Sequence, residues 1–171
     1  MKLERETIIH APSTKVWSVL GPNYADAYKW ASSVNSSSGI SQGKPLQGAP
    51  TVGRVCDTEL GAFKEQIEAY SGERMEMAYS AKGAKMPFFV KRLLNSWKVL
   101  PQGNNSKVTM SLDVKLLFPF NILMALPMRL QFGGVLKKAH EELKYFVEHN
   151  GKPHPRKVKA DQKYRKSISL S

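Results

Sequence analysis

The feature that most constrains this chain is one long amphipathic stretch that follows a run of strand-like segments. Leu136, Ala139, His140, Leu143, Phe146 and Val147 recur at three- and four-residue spacing, while Lys137, Lys138, Glu141, Glu142, Lys144 and Glu148 fill the other side. Asn150-Gly151 supplies the stop, with Pro153 just beyond. A helix that is apolar along one stripe has to bury that stripe, and the segments before it read mostly as strands. The chain is therefore expected to pair one long helix with one sheet.

The strand reading rests on short runs separated by turn residues. Residues 2–10 form the first, closed by Ala11-Pro12. Further runs are residues 34–41 (polar and Ser-rich), 51–60, 62–70, 74–81, 87–100 and 106–117. Residues 42–50 read as a loop, and Gly61 alone separates the runs on either side of it, as in a tight hairpin. In the last run Val108, Met110, Leu112 and Val114 alternate with Thr109, Ser111, Asp113 and Lys115, which predicts one buried and one solvated face. Between the first two strands two short helices are expected. One covers residues 13–20, with Val16, Trp17, Val19 and Leu20 inward; the other covers residues 24–31, after the break at Gly21-Pro22-Asn23.

Composition narrows the class. The length of 171 residues suits one domain with a sizeable core, and 42% hydrophobic against 23% charged residues is ordinary for a globular protein. Cys56 is the lone cysteine, which excludes an internal disulfide and a multi-cysteine metal site. Residues 1–6 are charged and no apolar signal-peptide region follows them, so a cytoplasmic location is expected. The most apolar stretch, residues 116–132, is broken by Pro119 and Pro127 and carries Arg129, so it does not read as a membrane span. The formal net charge is +12. About half of that excess follows Gly151, where seven basic residues face Asp161 alone. Residues 151–171 are accordingly expected to be a basic, disordered tail on a domain at residues 1–150, with a possible attraction to an anionic membrane surface. Nucleic-acid binding through that tail is the weaker expectation, because its basic residues are not interleaved with exposed aromatics.

The order of these pieces resembles the START-like (SRPBCC) superfamily, and within it the polyketide cyclase/dehydrase and lipid transport group. The matching residues are Ile8-Ile9-His10-Ala11-Pro12 with Val16-Trp17, then Trp30, Val52-Gly53-Arg54-Val55, Glu65-Gln66-Ile67, Tyr70 and Tyr79. Asn95-Ser96-Trp97-Lys98-Val99-Leu100-Pro101-Gln102-Gly103 resembles the strand that ends in a Pro-x-Gly turn, and the closing helix completes the likeness. What this implies is an α+β helix-grip fold. A curved antiparallel sheet of about seven strands wraps around the long C-terminal helix, and two short helices separate the first two strands. Many relatives place two residues between the glycine and arginine of the third strand, whereas Gly53 and Arg54 are adjacent here. One residue of slip reverses a strand's face, so the direction of Arg54 stays open.

The resemblance also implies an internal cavity for a hydrophobic small molecule such as a lipid, quinone or polyketide. The residues expected around it are Trp17, Trp30, Tyr70, Tyr79, Trp97, Met110, Leu112, Met124, Met128, Leu136, His140 and Leu143. For each of them, plain core packing is the competing reading. The apolar segment 118–128 is expected to form the entrance and lid, with insertion into a bilayer surface, aided by the basic tail, and simple packing under the sheet as the alternatives. No catalytic constellation is legible. Cys56 has no activating neighbour in sequence, and Glu65, Glu68 and Glu76 with Tyr70 and Tyr79 are the candidates for acid chemistry. His10, His140, His149 and His154 are too scattered to predict a metal site, and no cofactor is expected. A carrier or binding protein is the favoured function. A cyclase- or dehydratase-like enzyme is the alternative, and an interaction module acting through the basic tail is the second.

Overall fold

The computed structural model describes residues 1–169. Seven strands form: β1 (Lys2–Ile9), β2 (Ser36–Gly39), β3 (Gly53–Thr58), β4 (Gly61–Ser71), β5 (Glu76–Gly83), β6 (Val90–Gln102) and β7 (Asn105–Leu116). The alternation read in residues 106–117 appears as expected. Val108, Met110, Leu112 and Val114 are buried, and Asp113 and Lys115 point to solvent. The strands make one antiparallel sheet in the order β1-β7-β6-β5-β4-β3-β2. Sequential strands are neighbours from β2 to β7, as short hairpin connections dictate. Strand β1 instead pairs with β7, so the chain crosses from one edge of the sheet to the other before β2. Helix α1 (Ser13–Leu20) and a 3-10 helix (Tyr24–Lys29) are that crossing, and they bury Val16, Trp17, Leu20, Tyr24 and Ala27.

Helix α3 (Ala125–Glu148) lies over the sheet. It buries Leu136, His140, Leu143 and Val147, one per turn, which is the stripe expected from the sequence. The arrangement is an α+β helix grip. Side-chain bonds set the register of helix on sheet: Lys144 Nζ donates to the Ile8 carbonyl at 2.9 Å, and the His10 amide donates to Glu148 Oε1 at 2.7 Å.

Two expectations are corrected, and one segment gains a structure the sequence did not assign. The apolar segment 118–128 is helical in large part, forming α2 (Phe120–Leu123) and the first turn of α3. Pro127 falls within that first turn, where its missing N–H breaks no helical bond. Glu142, placed on the solvent side of the last helix by its spacing, is 2% exposed. It accepts bonds from the Ser32 amide (2.8 Å), the Ser32 hydroxyl (2.6 Å) and the Arg156 guanidinium (2.9 Å). Finally, most of the basic tail is not disordered: Pro155–Ser169 is helix α4. Its charges find acids far away in sequence. Arg156 bridges Glu141 and Glu142, and Lys163 reaches Glu59 at 2.7 Å. Lys157 is buried, donating to the Val34 carbonyl at 2.9 Å and to Asp161 one turn on. Net charge within the segment made it look unable to fold alone, whereas complementary charge elsewhere holds it in place.

Candidate functional site

Pairing register brings the site together. Inward positions on neighbouring strands form rows across the sheet, with Arg54 opposite Glu65, Ile67 opposite Tyr79, Tyr79 opposite Asn95, and Met77, Trp97 and Met110 in line. A β-bulge between Ile67 and Ala69 absorbs the extra residue Glu68, which is why Ile67 and Tyr70 both oppose inward-facing residues of β5. Glu68 itself is exposed and accepts a bond from Ser80, and Glu76 pairs with Arg74 and Lys98, so neither carboxylate enters the interior.

Glu65 does enter it. Strand β3 approaches β4 so closely that a Cβ on Gly53 would lie 2.0 Å from the Glu65 carbonyl oxygen, a position only glycine fits. The next residue, Arg54, therefore points inward and is 7% exposed, which answers the question its sequence context left open. Its Nε donates to Glu65 Oε2 at 2.6 Å and its terminal nitrogen to the Tyr24 carbonyl at 2.6 Å. The Tyr24 hydroxyl donates to the same Glu65 oxygen at 2.8 Å, and the guanidinium lies over the Tyr24 ring, 4.1 Å from its centre. Burial works against the Arg54 charge, but Glu65 and the two tyrosines outweigh it and hold the guanidinium above its ordinary range. Burial, with Glu65 adding and Arg54 opposing, raises the phenols of Tyr24 and Tyr79 well above the usual tyrosine value. Burial likewise pushes the Cys56 thiol up to about 11, the opposite of what a nucleophile needs.

Between this cluster and α3 lies a cavity of about 170 Å³. Its polar wall is Arg54, Glu65, Tyr79 and Asn95, and its apolar wall includes Trp30, Trp97 and Met110. Asn95 is 9% exposed, and its side chain has no hydrogen-bond partner among the described residues. Among the described residues His140 Nε2 is the one fully buried side-chain polar atom without a partner, so the Asn95 amide is open to the cavity. The cavity opens between exposed Ser33 and the partly open α3 residues Val135 and Ala139. The mouth is thus further along α3 than the expected entrance at 118–128.

Of the twelve residues expected around a ligand, Trp30, Tyr79, Trp97 and Met110 line this cavity. Trp17, Leu112, Met128, Leu136, His140 and Leu143 are buried in the core outside its lining, and Met124 packs against the core from the side. Tyr70 packs on Trp17 with ring centres 5.6 Å apart and borders a separate groove that also touches Glu4, Glu6, Arg74 and Ser111. His140 lies tilted against Trp97, with ring centres 5.5 Å apart, and shares its Nδ1 with the Leu136 carbonyl at 2.8 Å, while Nε2 has no partner within hydrogen-bond distance. Burial is the chief reason it sits below the ordinary histidine range, so it is neutral at pH 7. The sequence reading did not assign Arg54, Tyr24 or Asn95 to the lining. The signal for Asn95 was present, since it shares the inward phase of Leu93, Trp97 and Val99 on β6. Among the described residues no group of three or more His, Cys, Asp or Glu side chains could hold a metal ion.

A seven-stranded antiparallel sheet gripping a C-terminal helix over a cavity defines the START and Bet v1-like class of folds. The sequence model for the family described as polyketide cyclase/dehydrase and lipid transport matches residues 1–148, and the chain belongs to that family. Among solved structures it is similar to a START superfamily protein from Mycobacterium smegmatis, at 13% identity over 86% of this chain and 97% of that one (TM-score 0.69). It is also similar to norcoclaurine synthase from Thalictrum flavum, at 16% identity over 86% of each chain (TM-score 0.65). Ara h 8.0201 is a further likeness, at 14% identity over 86% of this chain and 97% of that one (TM-score 0.60). At these identities the likeness is one of fold. No curated protein matches the sequence. Members of the family bind hydrophobic ligands or act as cyclases.

Proposed function

We propose that this protein is a carrier or binding protein for a compact hydrophobic molecule, held in the cavity between the sheet and α3. The observation that carries this reading is Asn95, a polar side chain set on a cavity wall otherwise rich in aromatic side chains. An apolar chamber with one or two polar groups fixing orientation is the usual form of a small-molecule site. The volume of about 170 Å³ is below the roughly 300–1,000 Å³ common for drug-sized ligands, which favours a molecule of one or two rings over a long-chain lipid. Asn95 would bond a carbonyl or hydroxyl at one end of such a ligand, with Trp30 and Trp97 against its rings.

The test is a thermal-shift and native mass-spectrometry panel containing naphthoquinone, naphthol and a long-chain fatty acid. Ring-bearing polar compounds should bind, Asn95→Leu should weaken them, and Met110→Trp, which fills the chamber, should abolish binding. Binding that survives both substitutions would overturn the reading. A cyclase- or dehydratase-like activity is the second reading, favoured by the bonded Arg54, Glu65 and Tyr24 beside the chamber. It predicts turnover of a bound polyketide-like carbonyl compound that Glu65→Gln removes without removing binding.

A further inference from the structure

We propose that the end of the molecule formed by α2, the first turns of α3 and the β5–β6 hairpin docks onto an anionic lipid surface. This inference is independent of what occupies the cavity. Phe88, Phe118, Ile122, Leu123, Leu126 and Leu130 are each between 67 and 77% exposed. They are one patch and not scattered side chains. Ile122, Leu126 and Leu130 follow one another at four-residue spacing through α2 and α3. Phe120 ties that stretch to the hairpin, stacking on Phe89 with ring centres 4.6 Å apart and meeting Phe88 edge-on at 5.4 Å. Isolated exposed apolar residues need no explanation, but a contiguous cluster of large ones marks a surface that leaves water when it works.

The charge around the patch selects the occupant. Lys82, Lys85, Lys91 and Arg92 on the hairpin and Lys115 and Arg129 beside the helices are all exposed. Between Glu76 and Glu141 the only acidic residue is Asp113, which lies 4.0 Å from the N-terminal amine of Met1. Apolar side chains flanked by cations, in segments 81–93 and 114–140 that carry no acid of their own, suit the interface of an anionic bilayer. There the side chains enter the acyl boundary and the cations stay at the phosphate level. A protein partner with an acidic apolar groove would match the cations less evenly, and a second copy would set cation against cation. The basic helix α4 is anchored elsewhere, with Arg156 on Glu141 and Glu142 and Lys163 on Glu59. The cavity mouth at Val135 follows Leu126 by nine residues of helix, or about 14 Å at the usual rise. A docked molecule would therefore hold its opening near the headgroups. Gly133 and Gly134 lie between, with no atom near enough to meet an added Cβ, so this part of α3 is uncovered.

Full-length protein should co-sediment with vesicles of 70% phosphatidylcholine and 30% phosphatidylserine. Binding to pure phosphatidylcholine, or at high salt, should be weaker by about tenfold or more. Leu126→Asp with Leu130→Asp should reduce anionic-vesicle binding by a similar factor, and so should Lys85→Glu with Lys91→Glu, each with an unchanged melting temperature because the side chains are exposed. A nitrobenzoxadiazole label on Ile122→Cys should shift to the blue on the same vesicles; buried Cys56 will not compete for the label. The proposal is overturned by any of three outcomes. These are no binding to anionic vesicles, binding indifferent to the leucine pair, or a solution dimer that the leucine pair dissociates, which would assign the patch to a second copy.

Discussion

Arg54→Met should be among the more damaging single substitutions in the protein, and far more damaging than the same change made together with Glu65→Met. In the native chain the Arg54 and Glu65 side chains are only 8% and 13% exposed, and their closest atoms are 2.6 Å apart. Removing the guanidinium leaves the Glu65 carboxylate inside the protein with Tyr24 as its remaining donor, at 2.8 Å. Breaking a buried pair by removing one partner typically costs about 3–5 kcal/mol, and the surviving tyrosine bond places this case near 3 kcal/mol. For a chain of this length that is a fall in melting temperature of roughly 6–12 °C. Replacing both partners with methionine removes the charges together and should cost no more than about 1–2 kcal/mol, most of it from the orphaned Tyr24 carbonyl. Urea unfolding at pH 7, followed by the fluorescence of the three buried tryptophans, measures all four corners of the cycle. A single-variant cost below about 1 kcal/mol, or a double variant equal to the sum of the singles, would refute the view that Glu65 is held in by Arg54.

The other expectations test separate parts of the fold. Because burial depresses the folded-state pKa of His140, the unfolded chain binds its proton first as pH falls. Stability is therefore whole above about pH 6.5 and declines below it, by at most about 1.4 kcal/mol per pH unit from this group. His140→Leu should flatten that slope in urea titrations between pH 5 and 8, and an unchanged slope would show that another group is responsible. Arg156→Ala should loosen α4 and the Ser32 turn at the cavity mouth. Arg156 is 35% exposed, so solvent screening limits the cost to about 1–2 kcal/mol, readable as faster amide exchange at Ser32 and across 155–169. Gly53→Ala should push β3 off β4 and cost at least about 1–3 kcal/mol; a melting temperature within a degree of the parent would contradict the contact assigned to that glycine.

Local pattern carried most of the architecture. The spacing of Leu136, His140, Leu143 and Val147, the alternation in β7 and the turn residues between strands required a sheet with one helix across it. Those signals are readable because a buried stripe or face repeats with the geometry of its own element. Glu142 and helix α4 were misread because their stability comes from partners far away in the chain. Glu142 is buried on account of Ser32 and Arg156, and Lys157 on account of the Val34 carbonyl. Nothing within a few residues of either announces those bonds.

The same division holds at the cavity. That Trp30, Tyr79, Trp97 and Met110 belong inside was available from their types and positions, as it was for eight other residues that only pack in or against the core. Which of them border empty space was decided by strand register, by the bulge at Glu68 and by the approach of β3 to β4 at Gly53. The direction of Arg54 turned on one residue of register, which sequence leaves undetermined because both faces of a short strand are open to it. The sequence by itself therefore settled that a sheet grips a helix. Only the tertiary structure decided where the grip leaves a gap, because a gap is made by residues that are distant in the chain and adjacent in space.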